Sequence, residues 1–155
     1  MGAGAFKMKR REDSMQLWQR LYNAVWLVFF TCVLIPRWMG AVVGMPVHAF
    51  LGLALLVVSW SNLRRLEALP VPPRLKRIGK AVAGYAIFQL VCGLALGAVA
   101  HLAPNLTILS YILRGAHLVS ACAILAKSAS LATGHDMWEE KEFGDAPSGL
   151  KVGDR

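Results

Sequence analysis

The chain has 155 residues, 56% of them hydrophobic and 17% charged, with a mean hydropathy of +0.49 and a net charge of +8. So low a charged fraction argues against an ordinary soluble domain, for which about 25% is usual. The positive charge flanks long apolar runs rather than forming one basic face, which suits membrane-flanking charge and not nucleic-acid binding.

The chain opens on a basic cytoplasmic segment, residues 1–16, holding "KMKRRED". The apolar run after it is too long for a cleaved signal peptide, and "PRWMG" follows where a small-residue cleavage site would stand, so a retained anchor is expected. About 20 apolar residues cross the hydrocarbon core. Four segments meet that length, at about 17–38, 46–63, 80–102 and 106–131.

Pro36 and Pro46 bracket a short turn between the first two spans, and "APN" at 103–105 makes the turn between the last two. Both pairs are therefore antiparallel hairpins, joined by the proline-rich "EALPVPPRLK". The predicted fold is all-α, an integral membrane up-down four-helix bundle. A polar tail, 133–155, is expected to be largely disordered or docked on a partner.

Orientation follows from the basic residues. Lys7, Lys9, Arg10, Arg11 and Arg20 precede or open the first span; Arg64, Arg65, Arg74, Lys76, Arg77 and Lys80 lie between the hairpins; Lys127, Lys141, Lys151 and Arg155 fall toward the end. Only Arg37 and Arg114 lie near the opposite side. The positive-inside rule then places both termini in the cytoplasm, in a multi-pass protein of the inner (plasma) membrane. Trp18, Trp38 and Trp60 fall near span ends, where aromatic residues favour the interface.

Cys32, Cys92 and Cys122 each stand alone in an apolar run, which excludes a thiolate metal site and reads as packing. There is no nucleotide loop or nucleophile triad, and no span carries a carboxylate.

The histidines carry the chemistry. His48 opens the second span and His117 lies inside the fourth, and an ionisable residue within a span is a functional candidate by default. Each is followed one turn later by a small residue, Gly52 and Ala121, on the same helix face. Such a pair leaves room for a flat macrocycle, and two histidines on facing helices can supply both axial nitrogens of a haem iron. Their relative depth depends on where the fourth span ends. An end near Thr133 puts both at one level; an end at Lys127 offsets them by roughly 9 Å, and His101 becomes the alternative ligand. Arg114 precedes His117 by one turn, and it and Arg37 are placed to pair with haem propionates. Gln89 can bond across the bundle, and Gly93 with Gly97 forms a GxxxG that permits close helix approach. His135 reads as a solvated tail residue.

The hairpin "FQLVCGLALGAVAHLAPNLTILSYILRGAHLVSACAILAKS", through Gln89, Gly93, His117 and Ala121, resembles the haem A synthase family. "VHAFLGLALLVVSW", through His48 and Gly52, resembles that family's other histidine helix. The resemblance covers about residues 20–132 and implies one four-helix half of the usual two. It implies a haem cofactor (b-type, or haem O or A), a place in respiratory electron transfer or haem A biosynthesis, and assembly as a homodimer or as a subunit of a larger membrane complex. The chain departs from the family in carrying no acidic residue on the outer side, where the family holds a carboxylate near the haem, and no cysteine pair in "RWMGAVVGM". Enzymatic synthase chemistry is therefore the less supported part of the resemblance. A cofactor-free accessory or assembly subunit is the alternative reading.

Overall fold

In the computed structural model, residues 3–34 and 40–143 are described. They form α1 (Ala3–Phe29), a π-helical turn (Phe30–Leu34), α2 (Gly40–Ala68), α3 (Pro73–Leu102) and α4 (Thr107–Phe143), with no strand among them. Successive helices pack as neighbours and α4 closes the ring onto α1, giving an antiparallel bundle.

Local chemistry explains the ends. Pro72 caps α3 and Pro73 occupies its first turn, where a missing N–H costs no helical bond. The stretch Arg74 to Lys80, expected in a connecting loop, is therefore the opening of a helix. Only Leu69 to Pro72 separates α2 from α3. At the other end of α3, the Ala103 N–H bonds the Val99 carbonyl and the Leu106 N–H bonds the Ala103 carbonyl, turning the chain into α4. Pro46 lies inside α2 rather than ahead of it, because the helix starts earlier, at Gly40. It stands in the second turn, past the first four N–H groups that have no intrahelical acceptor, so it removes one helical hydrogen bond there.

Among the described residues three helices are long and apolar enough to cross a membrane: Gly44–Ala68, Pro73–Leu102 and Thr107–Phe143. Of the first predicted span, residues 17–34 are divided between the end of α1 and the π turn, and 35–38 lie outside the described residues. α4 runs 37 residues, about 55 Å at helical rise. That exceeds a hydrocarbon core of about 30 Å. The tail from residue 133, expected to be largely disordered or docked on a partner, is helical to Phe143.

The core has two levels. Leu17, Leu21, Leu66, Val71, Leu75, Leu131 and Ala132 cluster at the end where the chain begins, with Tyr22, Ile78 and Trp138 against them. Val28, Leu55, Ala86 and Ile124 form a second cluster further along. Close approach is concentrated at the first level. A Cβ on Gly79 would lie 2.9 Å from Leu66 Cδ1, and one on Gly134 would lie 2.7 Å from Leu75 Cδ2. The GxxxG glycines play no such part: Gly97 faces open space and Gly93 has only an ordinary contact, with the His117 ring.

The two hairpins repeat one another. On α2 the buried residues Leu55, Ser59, Asn62, Leu63 and Leu66 match Ile124, Ser128, Leu131, Ala132 and His135 on α4 at one constant sequence offset. The same offset carries His48 onto His117 and Gly52 onto Ala121. Leu17, Leu21, Ala24 and Val28 on α1 likewise fall in step with Leu75, Gly79, Val82 and Ala86 on α3. Equivalent faces thus meet about an axis that runs along the bundle, as in parallel internal repeats.

Leu66 is fully buried where all four helices contribute to the first cluster. Leu66→Ala is expected to lower unfolding stability by about 2–4 kcal/mol, measured in detergent against Leu69→Ala, whose side chain is only half-buried.

Candidate functional site

His48 and His117 come together. Their ring centroids are 6.0 Å apart with planes inclined at 56°. The depth question is thereby answered: α4 continues past Thr133, and the two imidazoles share one level. Lys127, which this placement draws toward the middle of the helix, is exposed and so free to extend along the surface.

Each histidine is held through a different neighbour. His48 Nδ1 lies 3.2 Å from the Thr31 carbonyl oxygen. A carbonyl only accepts, so Nδ1 carries the proton and Nε2 keeps its lone pair. Thr31 lies within the π turn, Phe30–Leu34. The Thr31 hydroxyl itself donates to the Leu27 carbonyl, 2.6 Å away.

His117 is anchored through its backbone. Gln89 Nε2 donates to the His117 carbonyl at 2.7 Å, and Ser120 Oγ approaches the same oxygen at 3.2 Å. Gln89 Oε1 and His117 Nδ1 are both buried without a hydrogen-bond partner. A ring nitrogen and an amide oxygen left unpaired beside one bonded contact mark a polar site that the described side chains do not complete.

Gly52 opens onto free space, and a Cβ on Gly93 would stand 3.8 Å from His117 Cε1. Ala121 is half-buried and Arg114 exposed on α4. His101 is exposed in the last turn of α3, outside the facing pair. Arg37 lies outside the described residues. Among the described residues there is no cluster of three or more His, Cys, Asp or Glu side chains able to hold a metal ion. Among the described residues the site offers two imidazoles and no third His, Cys, Asp or Glu ligand. Cys92 is buried, while Cys32 and Cys122 are exposed.

A second polar cluster, at the opposite end of the bundle, was missed in the sequence. His135 is fully buried, not solvated as its polar surroundings suggest. Its Nε2 lies 3.4 Å from Ser14 Oγ, its Nδ1 3.8 Å from Glu139 Oε2, and its ring packs 5.5 Å from that of Trp138. The helix continuing to Phe143 turns His135 inward, at the α4 position equivalent to Leu66. That offset from Leu66, the same as from His48 to His117, was the available signal. A Ser–His–Glu order suggests nucleophilic chemistry, but Ser14 and His135 have no exposed surface to offer a substrate. The cluster ties α1 to α4.

No protein-family model, no curated protein and no solved structure matches the chain.

His135→Ala is expected to cost about 2–4 kcal/mol of stability, where a solvated tail residue would cost under about 0.5 kcal/mol. Chemical denaturation of the two purified proteins distinguishes these outcomes.

Proposed function

We propose that the protein is a haem-binding integral membrane protein in which His48 and His117 are the axial ligands. The observation that carries this reading is the separation of the two rings, 6.0 Å between centroids. One metal ion bonded at about 2.0–2.1 Å to a nitrogen of each imidazole needs ring centres about 6 Å apart. Two imidazoles alone do not complete a structural metal site, which takes four ligands in the zinc case. A planar macrocycle brings its own in-plane nitrogens and requires only the two axial ones.

The neighbours of the pair support the same reading. The Thr31 carbonyl fixes the His48 tautomer and leaves Nε2 as the ligating atom, as metal-bound histidines commonly have their other nitrogen fixed by a carbonyl. Gln89 and Ser120 hold the helix at His117 through its carbonyl, and His117 Nδ1 is buried without a protein hydrogen-bond partner. Gly52, Gly93 and Ala121 keep the faces beside the rings small. Arg114, one turn from His117, would pair with a propionate, and Arg37, which lies outside the described residues, is the second candidate for that role.

The haem, once bound, supplies one-electron redox chemistry; the chain supplies axial ligation, orientation and an apolar surround. The protein would serve as a cytochrome-b-like subunit in respiratory electron transfer, or in haem A biosynthesis as a relative of one half of haem A synthase. The absence of an outer-side carboxylate from the sequence favours the electron-transfer role. The three long apolar helices support insertion in the bilayer, and the distribution of Lys and Arg supports both termini facing the cytoplasm.

Protein purified from haem-replete membranes should show a Soret band that is lost in His48→Ala and in His117→Ala. Gln89→Leu should weaken haem retention about 10-fold while leaving the band position of a bis-histidine haem, as changes to a ligand's supporting bonds do. A colourless, folded protein that co-purifies with membrane partners would reject haem binding and favour the accessory-subunit role.

A further inference from the structure

Hydroxyls inside these helices usually satisfy themselves locally. Thr31, Ser120 and Ser130 each donate to the carbonyl one turn back, at 2.6, 2.7 and 2.8 Å. Ser59 on α2 and Ser128 on α4 do not. Both are buried at 4% exposure, and the Oγ of each lacks a hydrogen-bond partner. Both line the same cavity, at the centre of the bundle, with room for about 10 Å³.

The cavity is placed by the internal repeat. Ser59 and Ser128 are related by the offset that relates His48 to His117, and lie about three turns inward of them. Leu21 and Ala24 of α1 face it together with their equivalents on α3, Gly79 and Val82. All four helices thus meet there, at matched positions. Gly79 contributes by lacking a side chain, which leaves the space open. Asn62 is a third polar group in the wall, and its Nδ2 has only a long contact, 3.5 Å, with the Arg20 carbonyl.

A buried cavity that stays empty is apolar; one lined by unpaired polar groups and about one water in size is hydrated. No charged side chain lines this one, so a cation would lie there uncompensated. Its volume admits nothing larger than a water. We propose that the cavity is a binding site for a single water molecule, which bridges the hydroxyls of Ser59 and Ser128 and joins α2 to α4 across the bundle axis. The bridge stands independently of haem binding.

The test is a thermal double-substitution cycle on the full chain, with Ser59→Ala, Ser128→Ala and the pair. A bridging water makes the second substitution nearly silent, so the pair should lower Tm by clearly less than the two single shifts together. Fully additive shifts overturn the proposal. Ser128→Thr gives a second reading if the pair does not fold. Its methyl would evict the water and lower Tm, whereas a rise in Tm means a dry void has been filled and the proposal fails. A high-resolution structure should show one density peak within hydrogen-bond distance of both hydroxyls, and a clear void at that position would also overturn it.

Discussion

The packing of all four helices around Leu17, Leu66, Leu75 and Leu131 is the constraint on which the rest of the bundle depends. Gly79 and Gly134 let leucine side chains from neighbouring helices close to within van der Waals limits at this level. Close-packed interiors have little freedom to rotate. Once the faces bearing Leu66 and Leu131 are turned inward, every residue a whole number of turns away along the same stripe is turned inward too. On α2 that stripe carries Leu55 and Ser59 outward to His48; on α4 it carries Ile124 and Ser128 outward to His117. The meeting of the imidazoles is a consequence of packing several turns away.

The internal repeat gives this arrangement its economy. Two hairpins presenting equivalent faces about one axis bring like residues together: imidazole to imidazole, hydroxyl to hydroxyl, leucine to isoleucine. A ligand on the axis then meets one residue from each half. The repeat is broken where the halves do different work. Leu66 on α2 corresponds to His135 on α4, and the extra polarity there is absorbed by Ser14 and Glu139. The supports of the two facing histidines also differ. The Thr31 carbonyl, in the π turn, holds the His48 ring itself, whereas a glutamine and a serine hold the His117 backbone.

Much of this was legible beforehand. The apolar runs and prolines announced helical hairpins, and the pairing of each histidine with a small residue one turn on singled out His48 and His117 before any contact was known. Gln89 was marked as a residue able to bond across the bundle, and it does so. Other features were read wrongly for local reasons. "GHDMWEEKEF" is polar and so reads as solvated, yet the inward position of His135 is set by the helix phase inherited from Ser128 and Leu131. The glycines of the GxxxG looked like the close-contact site, but that role falls to Gly79 and Gly134, which no motif advertises. Arg74 to Lys80 read as loop because of the prolines before them, whereas those prolines start the helix.

The sequence by itself determined that the chain is built from apolar helices, where the charges lie, and which residue types recur at matched positions. These properties belong to single helices and are written in composition and period. Only the tertiary structure decided that His48 and His117 share a level, that His101 stands apart, that Ser59 and Ser128 turn toward one cavity, and that His135 is buried. Each of those depends on the axial shift and rotation of one helix against another. Shift and rotation are set by side chains interlocking across helices, and no local pattern encodes them.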